Sequence, residues 1–185
     1  MDQPRARLPR TLEGPTAVHL QVTLTVDTDP RTAATMLADP VYVRAKVRAS
    51  GAEELALDVT PGENDAFTVT TRRSLATDLI PANIRAFVGA RLEVRQVEAW
   101  EGPSADGTRR GTVVVEIAGA PVRLTGTVAL TGDDAVTRIV YDGELKASVP
   151  LFGSAVEEAA ATAVRGALEA EQAVAREWVA TTPDA

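Results

Sequence analysis

Val18, Leu20, Val22, Leu24 and Val26 alternate strictly with His19, Gln21, Thr23 and Thr25, the period-two pattern of a strand with one buried face. The pattern then changes. Asp29-Pro30 and Asp39-Pro40 each set a capping carboxylate before a proline at the first helical position, where the missing N–H is harmless. Two short helices are predicted, over 30–38 and 40–49. Leu55, Leu57 and Val59 alternate up to the turn cluster Pro61-Gly62-Glu63-Asn64-Asp65, and Phe67, Val69 and Thr71 alternate back, which predicts a hairpin.

Residues 81–88 read as one or two helical turns closed by Gly89, a residue that enters the left-handed region freely. Four strands are predicted beyond it, over 91–100, 108–118, 122–130 and 136–146. The short connections Gly102-Pro103, Asp106-Gly107, Gly119-Ala120-Pro121 and Gly132-Asp133-Asp134 make neighbours pair antiparallel. From 150 to 180 the chain is rich in Ala, Glu and Leu without an internal proline, so one long helix is expected. Ser154 and Glu157 stand at capping-box spacing. Phe152, Val156, Ala159, Ala163, Ala167, Ala170 and Val174 recur as its expected buried face.

A wide sheet with one apolar face needs a cover, and only the terminal helix is long enough to supply it. The expected fold is therefore α+β, a helix-grip arrangement in which a curved seven-stranded antiparallel sheet wraps a long C-terminal helix. Alanines at the middle of the helix reach only a short way toward the sheet. Either the helix sits close, or a cavity remains that apolar carbon would fill at about 25 cal/mol per Å² removed from water.

The order of elements resembles the START-like superfamily, also called the SRPBCC or Bet v-like helix-grip fold. Local sequence resembles a mainly actinobacterial, uncharacterised bacterial family, domain of unknown function 2505. The stretches carrying the likeness are Pro81, Phe87-Val88-Gly89, Leu92-Glu93-Val94, Glu98-Ala99-Trp100, Gly119-Ala120-Pro121, Gly126, Val149-Pro150-Leu151, Leu168-Glu169-Ala170-Glu171-Gln172 and Trp178. The resemblance implies the fold and a class expectation of apolar-ligand binding; it implies no catalytic residue.

Composition works by exclusion. The 185 residues suit one domain, expected over 17–181 with a disordered leader at 1–16 and a tail at 182–185. The absence of cysteine removes disulfides, thiolate metal sites and thiol nucleophiles, and fits a reducing, cytoplasmic compartment. A net charge of −7 with 4% aromatic residues argues against nucleic acid, which demands positive charge and stacking platforms. No apolar run approaches the ~20 residues of a membrane span, so no membrane insertion is expected.

His19 is the only histidine and falls on the polar face of the first strand, so no metal site or histidine-based triad is expected. The pairs Glu53-Glu54, Asp133-Asp134 and Glu157-Glu158 read as solvated surface. No cofactor motif is present. The informative residues are those that alternation turns inward: Phe67, Val69, Thr71 and Arg73 on one strand, Leu92, Val94, Gln96 and Glu98 on the next, and Ile139 and Tyr141 near the end. Together with Phe87, Leu124 and Val128, and with Phe152, Val156, Ala159, Ala163 and Ala167 of the helix, they form the expected lining. Arg73 and Glu98 could pair with each other or orient a ligand's polar head, since a buried unpaired charge costs several kcal/mol.

The functional expectation is binding of a small hydrophobic molecule, a lipid, a polyketide or similar, by a carrier or sensor. Two alternatives stand beside it. One is a cyclase or aromatase type of enzyme using Tyr141, Glu98 or Arg73. The other is a filled-core interaction module, which would show a contiguous exposed apolar patch. The lack of an internal void of at least ~300 Å³, the lower end for ligand pockets, would count heavily against the carrier.

Overall fold

The computed structural model describes residues 17–77, 85, 90–149 and 152–182. The period-two segments form strands β1 (Val18–Val26), β2 (Glu53–Pro61), β3 (Phe67–Ala76), β4 (Arg91–Trp100), β5 (Arg109–Ile117), β6 (Val122–Gly132) and β7 (Thr137–Ala147). The helical segments form α1 (Pro30–Ala38), α2 (Pro40–Ala49) and α3 (Gly153–Thr181). The four strands β4 to β7 lie within two residues of their expected bounds, and β3 runs on to Ala76, beyond the alternation that predicted it. The helix expected over 81–88, and with it Phe87, lies outside the described residues.

Both Asp-Pro signals act as their chemistry dictates. Asp29 Oδ1 accepts from the backbone N–H groups of Arg31 and Thr32, at 2.8 and 3.1 Å. Asp39 Oδ1 accepts from the Val41 N–H at 2.8 Å. In the turn between β2 and β3, Asn64 and Asp65 adopt positive φ of 52° and 60°, a region that Asn and Asp tolerate better than other side chains.

The strands form a single sheet in the order β1-β7-β6-β5-β4-β3-β2, antiparallel at every junction. The first strand thus pairs with the last, and β1 and β2 are the edges. One face is lined by Leu20, Leu24, Val26, Val128, Leu130, Ile139 and Leu145, all buried, with Met36 and Leu37 of α1 and Tyr42 and Val43 of α2 packed into the same core. The opposite face is wet and carries cross-strand ion pairs, Arg72 with Glu93 and Arg123 with Glu116. Each exposed pair is worth about 0–1 kcal/mol.

Gly126 of β6 and Gly143 of β7 face each other in the register of the curved sheet. A Cβ at Gly126 would stand 2.3 Å from the Asp142 carbonyl oxygen and 2.7 Å from the Gly143 Cα. Only glycine permits this approach.

α3 lies against β1, β7 and α2, but turned about one residue from the expected face. Its buried positions are Val156, Glu157, Ala161, Glu171 and Ala175, joined by the partly buried Val164, Leu168 and Trp178. Ala163 is exposed, and Ala159 and Ala167 are half-buried. The reason is volume. The stripe that wins contains Val164, Leu168 and Trp178, which bury more apolar surface than the alanines one position back.

The capping box does not form. Phe152 is the N-cap residue and no side chain caps the helix. Glu157, expected at the surface, is 2% exposed, and its Oε1 accepts from the Ala147 N–H at the end of β7, at 2.8 Å. The carboxylate satisfies a strand end instead of the first turn of its own helix.

Candidate functional site

Between the concave face of the sheet and α3 lies a cavity of about 70 Å³. Its apolar wall comes from Leu20 and Val22 of β1, Val113 and Val115 of β5, Leu124 of β6, and Val164, Ala167 and Leu168 of α3. Its polar wall comes from Lys46 and Ser50 at the C-terminal end of α2, Arg73 of β3, Gln96 of β4, Tyr141 of β7 and Glu171 of α3. The two chemistries meet because period-two alternation carries β3 and β4 from apolar Phe67, Val69 and Val94 into Thr71, Arg73, Gln96 and Glu98 without changing face.

The polar wall is one connected network. Lys46 Nζ lies 3.1 Å from Glu98 Oε1 and 3.2 Å from Glu171 Oε1, with all three side chains at most 7% exposed. The Tyr42 hydroxyl donates to Glu171 Oε1 at 2.9 Å. The Tyr141 hydroxyl donates to Glu98 Oε2 at 3.3 Å. Gln96 Nε2 donates to Glu98 Oε1 at 2.6 Å, and Gln96 Oε1 accepts from Arg73 Nη2 at 2.8 Å. Arg73 and Glu98 therefore do not pair directly; Gln96 stands between them and the lysine takes the carboxylate.

The two carboxylates are not equivalent. Burial works to raise the pKa of Glu98, but the Lys46 ammonium and hydrogen bonds from Lys46, Gln96 and Tyr141 outweigh it and hold the group below the usual carboxylate range. Burial also raises Glu171, where the charge of Glu98 adds to it, and Lys46 and Tyr42 do not fully offset the two. Lys46 remains firmly protonated, because two carboxylates outweigh the burial that opposes its charge. Burial, with the carboxylates behind it, pushes both tyrosines well above the ordinary phenol value. Each is placed as a hydrogen-bond donor, Tyr42 to Glu171 and Tyr141 to Glu98.

Of the residues expected to line a site, Arg73, Gln96, Leu124, Tyr141 and Ala167 meet at the cavity, and Glu98 stands behind them. Val69, Val94, Val128 and Ile139 are buried in the core, and Leu92 is half-buried. Phe67 stacks on Trp100 at 6.1 Å between centroids, under the Arg109 guanidinium. Thr71 is buried, and its hydroxyl has no hydrogen-bond partner. Phe152 and Val156 sit at the start of α3, the latter buried, and Ala163 faces away. Lys46, Ser50, Glu171, Tyr42, Val22 and Leu168 went unforeseen. Their signal was faint, a lysine in a short helix with no partner nearby in sequence and a glutamate inside a run of polar helix residues.

The void is smaller than the ~300 Å³ at which ligand pockets begin. Its small size counts against a carrier of bulky molecules and confines any occupant to a few heavy atoms. Among the described residues no group of His, Asp and Glu could hold a metal ion, and no helix is long and apolar enough to cross a membrane.

An antiparallel sheet gripping a long C-terminal helix is the START-like helix-grip fold. Solved structures agree. A START superfamily protein from Mycobacterium smegmatis matches with a TM-score of 0.53 at 11% identity, covering 87% of this chain and 99% of that one. A fragment of a STAR-related lipid transfer protein from Xanthomonas axonopodis matches with a TM-score of 0.52 at 16% identity over 90% of each. A Thermus thermophilus protein gives 0.54 at 14% identity, over 89% of this chain and all of the other. The chain itself belongs to the family described as protein of unknown function (DUF2505), whose profile matches residues 21–179. No curated protein matches it in sequence.

Proposed function

We propose that this protein is a carrier or sensor that receives a small, largely apolar molecule in the cavity under α3, with the molecule's polar end turned toward the buried network. The observation that carries the proposal is the ending of a buried charged network at the wall of an otherwise aliphatic cavity. Taking charges out of water costs several kcal/mol per ion. Satisfying them across three layers of the fold and then leaving the outermost facing a void suits reception of a ligand better than packing alone. The START-like fold supports the same class of function. An interaction module is less well supported, because Val41 and Leu55 are the only large apolar side chains exposed among the described residues.

Native mass spectrometry of gently purified protein tests the proposal, with a non-covalent small-molecule adduct as the expected result. Ala167→Leu, which fills the cavity from a half-buried position, is expected to abolish the adduct while leaving the fold intact. An adduct that persists undiminished in that variant would place the ligand elsewhere and end the proposal.

A further inference from the structure

The strongest unbalanced feature of the cavity is Arg73. A guanidinium carries five N–H donors and accepts nothing. Among the described residues Arg73 makes one side-chain hydrogen bond, to Gln96 Oε1. No carboxylate lies within ion-pair distance of it among the described residues, whereas Arg72, Arg91, Arg95 and Arg123 on the wet surface each have one. Arg73 faces the cavity, and Glu98 and Glu171 favour its charge only from beyond contact.

Counting donors and acceptors along the polar wall points the same way. Glu98 already receives Lys46, Gln96 and Tyr141. Lys46 is held by two carboxylates. Four N–H groups of Arg73 remain, and two residues back on the same face of β3 the Thr71 hydroxyl is buried without a partner. At Arg73 the unmet capacity is all donor, so a group received there must be an acceptor.

On the reading that this cavity is a ligand site, we propose that its ligand is a short aliphatic carboxylate whose head is received by the fork of Arg73. A carboxylate matches a guanidinium through two parallel hydrogen bonds, which a carbonyl or hydroxyl cannot do. The size follows from the void. At about 70 Å³ it admits roughly five water-sized atoms, the scale of propanoate or butanoate and not of a membrane lipid.

The neighbouring carboxylates do not forbid an anion. The groups facing Glu171 are Tyr42 and Lys46 from α2, Arg73 from β3, Glu98 from β4 and Tyr141 from β7. With Lys46 and Arg73 charged and Glu98 ionised, the wall is neutral if Glu171 is ionised and carries one positive charge if it is protonated. Burial and Glu98 already push Glu171 toward the protonated form. A bound carboxylate completes that shift, and the proton comes from solvent.

Titration of the full chain with butanoate, butanamide and butan-1-ol, followed by amide chemical shifts, separates the proposal from the reading beneath it. Butanoate is expected to bind about tenfold tighter than butanamide, in keeping with charge-assisted hydrogen bonding, and to move resonances of β3, β4 and α3. In Arg73→Gln the advantage over butanamide is expected to vanish while butanamide still binds. Should that variant not fold, Arg73→Lys, which keeps charge without the fork, is expected to reduce the advantage. Equal binding of acid and amide by the unaltered protein overturns the carboxylate and leaves the cavity reading standing. No response at the cavity to any of the three overturns both.

Discussion

Lys46 on α2 and Glu171 on α3, 125 positions apart in the chain, meet at 3.2 Å in the interior, and the same ammonium reaches Glu98 of β4. One charged side chain thereby joins a short helix, the terminal helix and the sheet. Its removal leaves two buried carboxylates with no ion-pair partner in contact and only Arg73 nearby.

Lys46→Met should therefore cost about 3–5 kcal/mol at neutral pH, the range for stranding a partner of a buried ion pair. Because both remaining carboxylates would then have raised pKa values, the loss should shrink as pH falls and they take up protons. Urea unfolding at pH 7.5 and 5.5 measures this. A loss that is the same at both values would mean that Lys46 acts through packing and not charge.

Glu171→Gln tests the asymmetry between the two acids. A carboxyl whose folded pKa lies above its unfolded value stabilises the protein fully only below the unfolded value, and the contribution is lost as pH rises through the folded one. Glu171 is of this kind; Glu98, held low, loses its contribution only as pH falls below the usual carboxylate range. Wild-type stability minus that of Glu171→Gln should thus decline as pH rises from about 4.5 toward 8. Exposed acids are common to both proteins and cancel. A difference that widens with pH would contradict the assignment.

Most of the fold could be read from the chain because its signals are local. Alternation from Val18 to Val26, the two Asp-Pro caps and the glycine-marked turns each determine an element from a few neighbouring residues. The inward set on β3 and β4 was legible for the same reason, since a strand's face follows from its period. The rest depended on distant partners. Glu157 and Glu171 look like wet helix positions until Ala147 and Lys46 are brought against them. Reading Glu157 as solvated surface and following the alanine spacing turned the expected face of α3 by one residue, toward alanines that proved half-buried or exposed.

The corrected face of α3 is itself testable. Ala161 is fully buried and Ala163 exposed, two residues apart on one helix. Ala161→Leu should overpack the interior and cost about 1–3 kcal/mol. Ala163→Leu should fall within about 0.5 kcal/mol of the parent, as surface changes do. Thermal melts of both would expose any error in the rotation, because the opposite ranking fits only the face set by the alanine spacing.

Gly126 brings β6 and β7 together backbone to backbone. Since an added Cβ would meet backbone atoms of β7 and not a yielding side chain, Gly126→Ala should force the strands apart and cost about 1–3 kcal/mol. The same substitution at Gly166, where nothing lies within 4 Å, should stabilise α3 by up to about 1 kcal/mol. Equal effects at the two positions would show that the sheet tolerates the crowding.

Gln172 neighbours Glu171 and does different work. Its Oε1 accepts from the Thr25 N–H at 2.8 Å and its Nε2 donates to the Thr25 carbonyl at 2.6 Å, so a side-chain amide pairs with the free edge of β1 as a further strand would. An open edge is a template for unwanted pairing, and this clamp also sets where along β1 the helix stops, which places Glu171 opposite Lys46. Gln172→Ala removes both bonds, at about 0.5–1.5 kcal/mol each. Amide exchange at Thr25 should accelerate, while Val22 and Leu24, inside the ladder with β7, keep their protection. If Thr25 exchanges no faster in the variant, the amide is not what holds α3 to the edge, and the position of Glu171 must be set by the packing of Leu168 and Ala175 instead.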